Sequence, residues 1–242
     1  MVKLGKIDSF TIMRESGSNK AILVQLQINE QLYLRDPQSS ELGHKIVSQS
    51  VHMISDMGFE QFTFKKLAKE ISSTEASVYR YFENKHKLLI YLISWYWNWL
   101  SYRLGIETLR IEDPREKLRI GIELFCHSLG PLPNTRTPLD LKKLQQIVNN
   151  ESPKAYLTKE VDADNKEGSF LAYKRFCREV ASFVKEINAD YAYPTALIST
   201  AVEAAHHQKY FSEHLPSLTE VSKRDKSKVA TFLQDMIFRV IE

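Results

Sequence analysis

"FTFKKLAKEISSTEASVYRYFENKHKLL", residues 62–89, sets two short amphipathic segments on either side of a polar "ISST" and then opens a third at an asparagine. Thr63 is placed to cap "FKKLAKEI", with Phe64, Leu67, Ala68 and Ile71 turned inward. Thr74 caps "EASVYRYF" in the same way, with Val78 and Phe82 inward, and Asn84 caps the long run "KHKLLIYLISWYWNWLSYRL". Upstream, helical spacing begins near Ser40. Ile46, Val47, Val51, Ile54 and Met57 line one side, and Gly58 stops the helix. Four helix starts therefore fall within about fifty residues, which predicts three tight helices followed by a long one.

On a helix at about 100° per residue, Val78 and Phe82 point one way with Glu75 beside them. Ser73, Ala76, Ser77 and Arg80 point the other way, flanked by Tyr79 and Tyr81. That outward side is small near its start, so another surface can approach it closely. Further along it carries donors suited to phosphate or base edges, and the N-terminal amides favour an anion. Lys65, Lys66 and Lys85 fall at the starts of the neighbouring helices, where a duplex backbone would pass. The arrangement expected is helix-turn-helix, with its second helix in the major groove and its first across the backbone.

The quoted stretch resembles the DNA-binding head of the TetR family of transcriptional regulators. A Thr-capped helix, a turn, a recognition helix ending in Tyr-Phe and an Asn-Lys start to helix four recur there in this order. The preceding helix, ending "MGFEQFTF", is similar too, so the resemblance spans roughly residues 40–90. It implies phosphate contacts from Thr63, Ser77, Tyr79, Tyr81 and Lys85, and puts Glu75, Ala76 and Arg80 toward bases or groove wall. With Lys65, Lys66 and Thr74 these residues make up the candidate DNA-binding set. Two departures matter. Ser72 stands where the family usually has glycine, so a positive φ must be tolerated there. Ser73 replaces a usual apolar residue. The resemblance further implies a dimer, an operator of palindromic double-stranded DNA, and release of a repressor by a small-molecule effector.

Composition bounds the rest. The 242 residues contain eight Gly and eight Pro, and long segments show helical rather than alternating apolar spacing, so the fold class expected is all-α. Net charge is only +3, so any nucleic-acid contact must come from local placement of charge. Cys126 and Cys177 lack ligand spacing and read as reduced thiols in a cytoplasmic protein. The N-terminus lacks a signal-peptide core. The most apolar run, "LLIYLISWYWNWL", is shorter than the roughly 20 residues that cross a bilayer, so no membrane partner is expected. Residues 1–19 read as a mobile tail. Val24, Leu26 and Ile28 alternate with Gln25, Gln27 and Asn29 as a strand, with Leu32 to Leu34 returning as its hairpin partner. The division expected is an N-terminal extension over 1–37, a DNA-binding domain over 38–90, and an effector and dimerisation domain over 91–242.

In that last region helices are expected from Pro114, over 139–150, over 152–161, over 169–187, and at the two apolar stripes 194–212 and 227–241. "DADNKEG", residues 162–168, reads as a polar break. The two stripes are the candidates for dimer pairing, through Leu197, Val202, Phe232, Leu233, Met236 and Ile237. Trp95, Trp99 and Tyr102 on the long fourth helix, with Phe125, His127 and Phe176, are the candidate effector pocket. Glu203 and His206 share the Glu-x-x-His spacing used by di-iron bundles and are the weak metal candidates. No cofactor is expected. The sequence has no P-loop, dinucleotide glycine fingerprint, GxSxG or HExxH, so an enzyme is not the expected reading. The alternatives are a helical metal-dependent oxidase, or an effector-binding protein whose head no longer grips DNA.

Overall fold

Each helix start in the quoted region is capped as its residue type requires. In the computed structural model, which describes residues 2–7, 10–14, 22–127, 130, 132, 135–222, 224–225 and 227–242 (side chains from residue 24 on, Arg136 excepted), Ser40 accepts the Gly43 N–H to open helix α1, Glu41–Met57. Thr63 accepts the Lys66 N–H to open α2, Phe64–Glu70, and Thr74 accepts the Ser77 N–H to open α3, Glu75–Tyr79. Asn84 Oδ1 accepts the Lys87 N–H at 2.8 Å to open α4, Lys85–Thr108. Gly58 closes α1 with φ +79°, a conformation that only glycine adopts without penalty.

The turn between α2 and α3 is a Schellman motif. The Ser72 N–H donates to Lys69 O at 3.2 Å and the Ser73 N–H to Ala68 O at 2.8 Å, with Ser72 at φ +53° in the left-handed region. The sequence expectation of a tolerated positive φ is met there, at a residue with a Cβ. Ser72→Gly should therefore stabilise the protein by about 1 kcal/mol. A melting temperature higher by about 2–4 °C is the expected reading, and an unchanged or lower one contradicts it.

The all-α class holds for the body of the chain, with a small sheet added at the N-terminus. Strands β1 (Val2–Ile7), β2 (Phe10–Arg14), β3 (Ile22–Leu26) and β4 (Thr135–Arg136) lie in that order, antiparallel except for the β3–β4 pair. This corrects two expectations. Residues 2–7 and 10–14 form strands rather than a mobile tail, and β3 finds its partner there, Phe10 opposite Leu26, rather than in Leu32–Leu34. The cause is local. Asn29 Oδ1 accepts the Gln31 N–H and winds Glu30–Leu32 into a 3-10 turn, so the chain cannot return as a strand. The alternation itself is met, with Val24, Leu26 and Ile28 buried and Gln27 exposed.

The chain divides into two compact units, Met1–Trp99 with Leu129–Tyr173, and Leu100–Ser128 with Lys174–Glu242. In the first unit α1, α2, α3 and the start of α4 close over Ile46, Val51, Phe62, Leu67, Val78 and Phe82, all buried. From Leu88 to Ser101 every residue of α4 is buried, which marks a central helix apolar on all sides. The same unit holds α6 (Leu141–Glu151), α7 (Pro153–Tyr156) and α8 (Val161–Lys166). The helix expected over 152–161 is thus broken after Tyr156, and the expected polar break is itself helical. Asp164 accounts for this, drawn in as a buried ion partner described below.

The second unit contains α5 (Pro114–Cys126), α9 (Leu171–Ile187), α10 (Pro194–His214) and α11 (Lys228–Ile241). Asp113 caps α5, with Pro114 just inside its start. Its core is built from Leu118, Ile122, Phe125, Phe176, Val180, Val202, Val229, Leu233 and Ile237. No described helix is long and apolar enough to cross a membrane.

Candidate nucleic-acid interface

The head presents one side of α3 to solvent. Thr74, Glu75, Ala76, Tyr79 and Arg80 are exposed, and Ser77 is half-buried. Thr74 Oγ1 and Ser77 Oγ share a hydrogen bond of 2.8 Å that fixes both hydroxyls at the helix start. The Tyr79 ring stands edge-on to Phe64, with centroids 5.0 Å apart, which anchors the ring while the side chain stays 47 % exposed. Arg80 makes no ion pair among the described residues, so its guanidinium keeps all five donors for an outside partner. Thr63, Lys65 and Lys66 are exposed at the start of α2, where Lys66 Nζ rests on Gln61 O at 2.7 Å.

Two residues of the candidate set are used internally. Tyr81 is 2 % exposed, and its hydroxyl meets Ser40 Oγ at 2.8 Å beneath the Arg35 guanidinium. The helix expected to run to Phe82 ends at Tyr79, and the turn that follows rotates Tyr81 into the core instead of toward a phosphate. Lys85 is half-buried. Its ammonium donates to the carbonyls of Phe59 (3.1 Å), Glu60 (3.3 Å) and Phe62 (3.4 Å) and lies 4.5 Å from the Phe59 ring centroid. It ties the α1–α2 connection to the start of α4, so its first role is to hold the head's shape.

Polar ties invisible at the sequence level fasten this head within its unit. Glu151, at the end of α6, accepts the Phe59 N–H at 3.1 Å. Asp164 accepts from Lys87 Nζ at 2.8 Å and from His86 Nε2 at 3.1 Å, and Lys87 also reaches Glu167 at 2.7 Å. Burial opposes ionisation of Asp164, but the hydrogen bonds and charges of Lys87 and His86 outweigh it and hold the carboxyl below its usual range. Because the folded value is depressed, the stability it contributes is present above the ordinary carboxylate value of about 3.9 and is lost as pH falls through the folded value. Asp164→Asn should cost about 1–3 kcal/mol at pH 7. The gap in melting temperature from the parent should close as pH drops below about 4, and a gap independent of pH would contradict this.

Five of the six candidate effector residues, all but His127, are buried. Trp95 and Trp99 stack at 6.0 Å in the first unit, whereas Phe125 and Phe176 meet edge-on at 6.4 Å in the second. Tyr102 is buried, and burial pushes its phenol up from the ordinary value; His127 is half-buried. Trp95 borders a cavity of ≈ 10 Å³ with Tyr91 and Val47, barely the size that admits one water. Of the candidate dimer residues, Val202, Leu233 and Ile237 sit in the core of their own unit, Leu197 and Met236 are half-buried, and Phe232 is 46 % exposed. His206 Nδ1 and Glu203 Oε2 are 3.8 Å apart, and burial holds the imidazole below its ordinary value. Among the described residues no group of three or more His, Cys, Asp or Glu is arranged to hold a metal ion.

Residues 46–92 match the family model of the bacterial regulatory proteins, tetR family. The head is similar to that of the tetR family. Among curated proteins nothing matches the chain. Solved structures share the fold. A choline-bound protein from Saccharomonospora viridis superposes with TM-score 0.59 at 16 % identity, over 82 % of this chain and 97 % of that one. AibR, in complex with isovaleryl coenzyme A and operator DNA, gives 0.51 at 19 % identity, over 80 % and 96 %. The superantigen PfiT gives 0.53 at 13 % identity, over 85 % and 97 %. Identities this low speak to fold alone, and a superantigen beside an operator binder shows why the tetR head must be argued from its own residues.

Proposed function

We propose that the protein is a dimeric, cytoplasmic transcriptional regulator that binds a palindromic operator through residues 38–90. A small molecule held in the region 91–242 would release it, as a repressor is released. The observation that carries the reading is the outward side of α3, where Tyr79 and Arg80 are exposed and Ser77 is half-buried beside them, on a head that matches the tetR family model. Small residues near the start of α3 would let it enter a major groove while Thr63, Lys65 and Lys66 meet the backbone. Two of the solved relatives hold small molecules, isovaleryl coenzyme A and choline, which supports an effector-responsive reading here.

One head makes too few contacts for a specific site, so two must act together. The exposed side of α10 and α11 is the surface we assign to pairing, with Tyr210, Phe232 and Val240 each about half exposed. An apolar row of this kind on two adjacent helices suits a four-helix contact between copies. Sedimentation equilibrium tests it with Phe232→Asp/Val240→Asp. The parent should be a dimer at micromolar concentration and the variant a monomer of unchanged melting temperature with weakened duplex binding. A parent that is monomeric, or a variant that still dimerises, contradicts the assignment.

A further inference from the structure

The second unit carries a pocket of ≈ 170 Å³ between the last turns of α4 and the middle of α9. That is the liquid volume of about six waters, enough for a small organic ion. Two facing helical stripes line it, Ser101, Gly105 and Thr108 from α4 and Glu179, Ser182 and Phe183 from α9. Gly105 makes the space. A Cβ built there meets nothing within 4 Å, although glycine inside a helix is less stable than alanine. The helix thus carries an unfavourable residue at the one place where a side chain would fill the pocket.

The lining is chemically one-sided. The Thr108 hydroxyl donates to Leu104 O and the Ser182 hydroxyl to Glu179 O, both at 2.7 Å, so both oxygens offer lone pairs and no proton to a ligand. Glu179 is the charged group of the lining, and it forms no ion pair among the described residues. Burial pushes its carboxyl up, against the Ser101 hydroxyl and the charges of Arg175 and Arg178, which favour ionisation. Of the other charges near this wall, Lys117 pairs with Glu186 at 3.6 Å and lies 5.8 Å from the Phe183 ring centroid, and Arg178 Nε donates to Lys174 O at 3.3 Å. A pocket whose Thr108 and Ser182 oxygens can only accept, with a carboxylate in no ion pair among the described residues and an aromatic wall, selects a cationic donor.

We propose that this pocket binds a small primary alkylammonium ion, with the Glu179 carboxylate as its counter-ion and the Thr108 and Ser182 oxygens accepting its N–H bonds. The site deepens the effector reading by naming a ligand class, yet it rests on the second unit alone and is tested without DNA. Titration calorimetry with n-butylammonium should show saturable binding, while the neutral 1-pentanol and the N–H-free tetramethylammonium bind at least about tenfold more weakly. Glu179→Gln should weaken butylammonium binding by about 10- to 100-fold. Parent affinity should fall as pH drops through the raised Glu179 value, where the carboxylate gains a proton and the ligand stays charged. Gly105→Leu should abolish binding at an unchanged or higher melting temperature, which separates a filled pocket from a damaged fold. Equal affinity for 1-pentanol, no effect of Glu179→Gln, or no heat up to about 10 mM butylammonium overturns the proposal. Any of these leaves operator binding untouched as a separate question. Conversely, loss of the operator reading would not alter the titration.

Discussion

Arg80→Ala leaves the fold intact and weakens binding to the protein's own operator by between about 30-fold and 10⁴-fold. The range follows from about 1–3 kcal/mol for each well-made base contact, counted once per head in a two-fold dimer. Arg80 is exposed and makes no ion pair among the described residues, so its removal takes nothing from the head's own packing. The salt dependence of affinity says what it touches. An unchanged slope means a base edge, and a slope shallower by about 2 means a phosphate from each head. Anisotropy titrations across a salt series supply both numbers. Affinity within about twofold of the parent would remove Arg80 from the interface.

Phe82→Ala also ends duplex binding, but by a different route. Phe82 is 0 % exposed and meets Tyr91 of α4 edge-on, with centroids 5.3 Å apart. Removing a ring from so closed a site costs about 3–5 kcal/mol, transfer and cavity together. That is a large share of the roughly 5–15 kcal/mol that holds a domain folded. The expected result is a melting temperature lower by about 10 °C, with lost binding that returns in part on cooling. A loss under about 1 kcal/mol would mean the head core relaxes around the hole. The pair of variants separates contact from scaffold: Arg80→Ala loses DNA at a constant melting temperature, and Phe82→Ala loses both.

What could be read from the sequence was what local chemistry decides. Ser40, Thr63, Thr74 and Asn84 each cap the helix their residue types announce, because an N-cap bond closes within three residues. Gly58 marks a positive φ for the same local reason, whereas the one at Ser72 follows from the family resemblance. The readings that missed concern distant partners. Alternation alone points β3 to the next apolar run, whereas its mate is β2, on the other side in sequence. Helical spacing continued to Phe82 turns Tyr81 outward, whereas α3 ends at Tyr79 although no residue there is a strong helix breaker. The polar segment around Asp164 read as a break because its partners, His86 and Lys87, lie nearly eighty residues away. Glu151 and Phe59 are as far apart, and no spacing rule links them. Of the candidate site, the α3 side was legible as an amphipathic pattern. Which charged residues would be used internally, Lys85 above all, depended on carbonyls that only the folded loop brings together.

Selection of bound duplexes from a random library bears most directly on the claim that the outward side of α3 reads DNA. The account predicts enrichment of one family of sites with two inverted half-sites, centred about one helical turn apart or a small multiple of it. The same selection run with Arg80→Ala should return no enriched site. A parent protein that enriches nothing, or enriches sites without inverted symmetry, would contradict the account.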